Sequence, residues 1–78
     1  MAQDQESLIS EKISIERKQF FFDLKENPRG RFLRITEDVW GRRDTIIIPS
    51  TGLKEFREIL DKAIELDSQL EPVTVEEE

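Results

Sequence analysis

A turn signal near the middle of this 78-residue chain constrains its fold more than any other feature. Residues 27–30 (NPRG) place Asn first, Pro second and Gly fourth, as a type I turn prefers. Residues 19–26 (QFFFDLKE) and 31–37 (RFLRITE) on either side are rich in residues that favour strands. The sequence therefore predicts a tight antiparallel hairpin.

Two more strands flank this hairpin. In residues 8–16, Ile alternates with polar residues, as in a half-buried strand. Residues 44–49 contain a continuous run of Thr and Ile, which indicates a fourth strand, and residues 38–43 are predicted as a loop. No segment repeats, so the sequence predicts one small domain.

The pattern becomes helical after the fourth strand. Ser50 or Thr51 is predicted to cap the helix, and Pro72 to end it. Apolar residues recur at helical spacing: Leu53, Phe56, Leu60, Ala63 and Ile64, with Ile59 and Leu70 beside them. The predicted class is α+β, a four-stranded antiparallel sheet plus a C-terminal helix over residues 8–71. Residues 1–7 are expected to be a flexible N-terminus and residues 72–78 an acidic disordered tail.

The turn also predicts the register of the hairpin. If Asn27 and Gly30 pair directly, one face carries Phe20, Phe22, Leu24, Leu33 and Ile35, which we expect the helix to cover. The other face then pairs Lys25 with Phe32, Asp23 with Arg34 and Phe21 with Thr36.

Phe32 is a large apolar residue among polar neighbours on that second face, an arrangement that normally has a reason. An aromatic ring beside cations can stack a base of single-stranded nucleic acid. Alternatively, Phe32 and Phe21 fill a dimer interface or cover a neighbouring strand. Trp40, beside two arginines, could also stack a base, but sealing the core edge is the favoured interpretation.

The net charge of −6 argues at first against a nucleic-acid partner. Residues 12–43, however, hold nine bases against five acids, a net of +4, while residues 1–11 and 44–78 hold the acidic excess. The chain has neither Cys nor His, which excludes disulfides, thiolate or imidazole metal sites, and the commonest general base. We therefore expect no enzyme, cofactor or small-molecule substrate, and a core this small favours self-association.

The hairpin resembles a known family. Residues 18–27 (KQFFFDLKEN) and 29–37 (RGRFLRITE) are similar to the PUR repeat of the purine-rich element binding proteins, as is Glu-Phe-Arg at 55–57. The resemblance implies a β-β-β-β-α repeat, akin to the Whirly fold, and an intertwined homodimer like that of single-repeat bacterial members. It also implies binding of purine-rich single-stranded DNA or RNA, duplex destabilisation and regulation of transcription or nucleic-acid metabolism.

The resemblance carries binding roles to five positions of this chain: Lys18, Lys25, Asn27, Arg29 and Phe32. Arg34 and Arg17 are added as phosphate contacts, Asn27 is expected to hydrogen-bond a base or the backbone, and Phe32 is expected to stack. Glu16 and Glu26 stand where the family commonly has Gln. The alternative is a non-enzymatic module whose same sheet face binds an acidic protein.

The sequence contains no targeting signal and no apolar run long enough to span a bilayer. We therefore expect a cytoplasmic location without membrane contact. Association with the nucleoid is compatible with this expectation.

Overall fold

The computed structural model describes residues 7–72. The strands are β1 (Ser7–Ile15), β2 (Lys18–Asn27), β3 (Gly30–Val39) and β4 (Arg42–Pro49), followed by a 3₁₀ turn (Ser50–Gly52) and helix α1 (Leu53–Gln69). The strands form one antiparallel sheet in the order β1-β2-β3-β4. The predicted α+β class and element order are confirmed. The proposed flexible terminus and acidic tail lie outside the described residues, except that Ser7 begins β1 and Pro72 follows α1.

The central hairpin has the predicted register. Asn27 pairs with Gly30, Lys25 with Phe32 and Asp23 with Arg34. The side chain of Asn27 closes the turn, because its Oδ1 accepts a hydrogen bond of 2.9 Å from the backbone N–H of Arg29.

The predicted loop at 38–43 is wrong, because β3 and β4 extend through it. Only Trp40 and Gly41 form the turn, and Val39 pairs with Arg42. Both turn residues have positive φ, 54° and 87°, the type I′ geometry that lets two residues join twisted strands.

The helix differs from its prediction at both ends. The predicted Ser50 or Thr51 cap is wrong: these residues belong to the 3₁₀ turn, and Gly52 takes the N-cap position without a side-chain hydrogen bond. The helix ends at Gln69, because Leu70 is extended and its N–H bonds to the carbonyl of Asp67 at 3.2 Å.

The expectation that α1 covers the sheet is wrong within one chain. The 3₁₀ turn contacts β3, but α1 makes at most marginal contact with the strands, and its residues from 54 onward are exposed. Among residues 7–72, only Ile48 and Thr36 are buried, and both retain some exposure, at 7% and 8%. The radius of gyration, 15.4 Å, exceeds the roughly 11.5 Å of a compact chain this long. Within the part of the chain that the structure describes, therefore, no element covers the apolar face of the sheet or the apolar stripe on α1.

No helix within residues 7–72 combines the length and apolar character needed to cross a bilayer.

Asp38, near the turn between β3 and β4, accepts two hydrogen bonds. The backbone N–H of Gly41 lies 2.9 Å from its Oδ1 and the Nε of Arg43 lies 2.8 Å from its Oδ2. Both hold the pKa of Asp38 below the ordinary value of 3.8, the backbone bond contributing most. The carboxylate therefore stabilises the fold above that value, and the stabilisation is lost as the pH falls through the lowered pKa.

We expect Asp38→Asn to melt at a lower temperature than the unsubstituted protein at about pH 7, and the difference to shrink as the pH falls below 3.8 toward about pH 2. Thermal melts followed by circular dichroism at the two pH values measure this. Asp44→Asn is the control, since the Asp44 side chain has no hydrogen bond or ion pair with any residue from 7 to 72. A pH-independent difference would contradict the assignment.

Candidate nucleic-acid interface

The sheet has two chemically different faces, because side chains alternate along each strand. The apolar face carries the Ile side chains of β1, Phe20, Phe22 and Leu24 of β2, and Leu33 and Ile35 of β3. The opposite face, called the polar face below, carries Lys12, Phe21, Asp23, Lys25, Phe32, Arg34, Thr36 and Arg43. Four of these eight residues are cations, and two are aromatic.

Phe32 lines an open hollow of about 440 Å³ at the Pro28–Arg29 turn. The hollow also touches Ile47 and Pro49, which β4 places beside Arg34 and Phe32. Arg29 lies at its rim. An apolar floor with a cation at its edge can hold a base while its phosphate meets the cation.

Asn27 also lines this hollow. Its Oδ1 is committed to the turn, and its amide nitrogen makes no hydrogen bond to another residue from 7 to 72. Asn27 therefore keeps two N–H donors that a base or a phosphate can accept.

Three predicted phosphate contacts lie outside the ion pairs of residues 7–72. Lys25, Arg29 and Arg34 form no ion pair with residues 7–72, although Asp23 lies opposite Arg34. Asp23 instead accepts a 2.6 Å hydrogen bond from the hydroxyl of Ser10. A carboxylate held there repels phosphate and can accept hydrogen bonds from base amino groups.

The structure places Lys18 apart from the other predicted cations. Lys18 lies on the apolar face, where its Nζ is 3.2 Å from the carboxylate of Glu37. Glu26 lies on the same face and pairs with Arg31 at 3.1 Å, so its charge is compensated and points away from Phe32. That Lys18 is a lysine does not reveal on which face of the sheet it lies. Its face is set by the pairing of β2 with its neighbours, which begins at Lys18 and continues along the whole strand.

Arg17 lies at the opposite end of the sheet from Phe32, in the β1–β2 turn. Its guanidinium carbon is 5.0 Å from the centre of the Trp40 ring. Trp40 does not seal the core edge within one chain, since it is 78% exposed.

A second aromatic residue on the polar face, Phe21, is flanked by cations. The Nζ of Lys12 lies 5.9 Å from its ring centre, and the guanidinium of Arg43 lies 5.2 Å away. These distances are in the range of cation–π attraction. Sequence reasoning missed Lys12 and Arg43 as site residues. The alternation of β1 indicated Lys12, but Arg43 stood in a predicted loop and had no assigned face.

Comparison with known proteins identifies the family of this chain. Residues 1–75 match the family described as PurA ssDNA and RNA-binding protein. Similar proteins are transcription factor Pur-alpha 1 of Arabidopsis thaliana (41% identity over 75 residues), transcriptional activator plp-1 of Caenorhabditis elegans (44% over 63) and human transcriptional activator protein Pur-alpha (42% over 73).

These alignments cover 81%, 76% and 82% of this chain, but 25%, 28% and 23% of the relatives. The chain thus spans about a quarter of the length of the curated relatives it matches. The family match covers nearly the whole chain, including every element of the sheet and the helix. The chain therefore belongs to the PurA family of ssDNA- and RNA-binding proteins.

Proposed function

We propose that this protein binds single-stranded DNA or RNA on the polar face of its sheet and acts without enzymatic chemistry. The observation that carries the proposal is the hollow lined by the half-buried ring of Phe32 and by Arg29, with Lys25 and Arg34 on the same face of the sheet. None of these three cations forms an ion pair with residues 7–72. Single-stranded nucleic acid is bound by this combination of stacking rings and cations along the backbone.

We also propose a preference for purine-rich strands, which the ring at Phe32 supports. A purine presents a larger ring system to Phe32 than a pyrimidine, and stacking strength is a main source of sequence preference on such surfaces. Binding single strands more tightly than duplexes also favours strand separation, because ligand binding shifts an equilibrium toward the bound form. Regulation of transcription would follow from such binding, and the relatives are named as transcriptional proteins.

The active form in this proposal is a homodimer. Ile9, Ile13 and Ile46 on the apolar face remain about half exposed in one chain, as do Leu60 and Ile64 on α1. If two copies exchanged helices, α1 of each copy would cover the apolar sheet face of the other. The two contacts would be identical, as in a symmetric dimer. The polar faces would stay open, one on each copy.

A titration of a fluorescently labelled purine-rich oligonucleotide, repeated at several salt concentrations, tests the proposal. Each neutralised phosphate of a single strand changes the slope of log K against log salt by about −0.7. We expect tight binding at low salt that weakens steeply as salt rises. No salt-sensitive binding at low ionic strength would overturn the proposal and favour a protein partner.

Single substitutions in this titration separate the cations of the two faces. Arg34→Gln should make the salt slope shallower by about 0.7, because one phosphate contact is lost. Lys18→Gln should leave the slope unchanged, because the Lys18 ammonium is paired with Glu37 on the other face. A shallower slope in the Lys18 variant would instead place Lys18 in the interface, as the family resemblance implies.

A further inference from the structure

Trp40 is the chain's only tryptophan and its most exposed large apolar residue within positions 7–72, at 78%. It stands at the first position of the two-residue turn between β3 and β4. Sequence reasoning left two roles open for it, and its exposure removes one of them, the sealing of the core edge within one chain.

The backbone at this turn is unfavourable for tryptophan. Trp40 has φ 54°, in the left-handed region, where a bulky residue is a genuine outlier. Type I′ turns favour Asn-Gly at these two positions, and here the pair is Trp40-Gly41. The indole of Trp40 is therefore unfavourable for two reasons: the left-handed backbone conformation and the exposure of an apolar ring to water. A backbone outlier of this kind motivates a functional hypothesis.

A cation already covers part of this ring. The guanidinium carbon of Arg17 lies 5.0 Å from the ring centre, and the side chain reaches it from the neighbouring β1–β2 turn. Because most of Trp40 is exposed, the ring face turned away from Arg17 is accessible. Arg42, two residues along, makes no ion pair with residues 7–72.

The turn also continues the aromatic and cationic surface of the polar face. Arg43 starts beside the turn and reaches over the ring of Phe21, 5.2 Å away. Phe21 in turn pairs with Thr36, four residues along β3 from Phe32. Three aromatic rings, each with a cation nearby, therefore lie in order along the sheet: Phe32, Phe21 and Trp40.

We propose that Trp40, with Arg17 behind it, is a second base-stacking position for single-stranded nucleic acid. This inference rests on the proposed function and extends it: Trp40 lies eight residues from Phe32, roughly 26 Å along the strand direction. One bound strand would stack at Phe32 and again at Trp40. Rings backed by guanidinium groups are a recurring feature of surfaces that stack unpaired bases.

The indole itself reports on this contact. A base stacked directly on Trp40 should quench its fluorescence and protect it from iodide, in step with binding measured by anisotropy of a labelled purine-rich oligonucleotide of about a dozen nucleotides. Since the chain has one tryptophan, the signal has a single source. Unchanged emission and unchanged iodide accessibility at saturation would overturn the assignment.

Trp40→Asn separates stacking from folding. Asn-Gly suits the turn, so the variant should melt at or above the temperature of the unsubstituted protein. Its affinity for the oligonucleotide should fall by roughly 5- to 150-fold, the effect of losing one stacked base. Trp40→Phe, which retains a ring, should recover part of the affinity. Lys62→Gln, on the exposed helix, is the control and should bind normally.

The outcomes distinguish this inference from the function on which it rests. If the unsubstituted protein does not bind single strands, both fail. If it binds and Phe32→Ala weakens binding while Trp40→Asn does not, only the Trp40 assignment fails. Weaker self-association of Trp40→Asn with unchanged affinity per site would make Trp40 a contact between copies, which also overturns the inference.

Discussion

Replacing Ile64 by Glu is expected to abolish the dimer and, with it, the stable fold. Ile64 belongs to the apolar stripe of α1 and is 64% exposed in one chain. In the proposed dimer it lies against the partner's apolar sheet face, where a buried carboxylate would lose its hydration. An uncompensated buried ion costs several kcal/mol, and the dimer would bury two.

Since each 1.4 kcal/mol is tenfold, the dissociation constant should rise by more than about a thousandfold. Sedimentation measures the result: the unsubstituted protein should have twice the 9.2 kDa mass of one chain, and the variant the mass of one chain. Circular dichroism should show the variant largely unfolded, because one copy buries almost no side chains.

Lys62→Glu is the matched control for this experiment. It lies two residues away, roughly 200° around the helix, and changes the charge more than Ile64→Glu does. If the helix stripe meets a partner, Lys62→Glu should remain dimeric and folded. A folded monomer at micromolar concentration, for the unsubstituted protein or for Ile64→Glu, would contradict the helix exchange.

Phe32→Ala is expected to weaken binding of a purine-rich single strand by about 1–3 kcal/mol, or roughly 5- to 150-fold. The reason is the loss of the ring that forms the floor of the hollow at the Pro28–Arg29 turn. Because Phe32 lies on the polar face and not among the apolar side chains, the melting temperature should change little. Fluorescence anisotropy and thermal melts measure the two effects on the same samples.

Phe32→Tyr is the control that keeps the ring, and it should bind nearly as well as the unsubstituted protein. A comparison at two salt concentrations adds a second criterion. Because the Phe32 ring neutralises no phosphate, Phe32→Ala should leave the slope of log K against log salt unchanged. Loss of a cation should make that slope shallower. If Phe32→Ala instead unfolds the protein or splits the dimer at unchanged affinity per site, Phe32 is structural.

The hairpin could be read from sequence because its determinants are local. Pro28 has a fixed φ, Asn27 supplies the side chain that closes the turn, and together they set a register that every later pair inherits. The face of Phe32 and the pairing of Lys25 and Arg34 followed directly. The same reasoning failed at residues 38–43, since a turn of Trp-Gly lacks the usual signal and its type I′ geometry appears only in the backbone.

By itself, the sequence determined the order of elements along the chain, the central register, the two faces of the hairpin and the amphipathic character of the helix. These depend on side-chain alternation and turn preference, which act over a few residues. Only the tertiary structure decided that α1 leaves its own sheet uncovered, that Lys18 is paired with Glu37 away from Phe32, and that Arg17 meets Trp40. Those contacts join residues far apart in the chain, and no local preference specifies them.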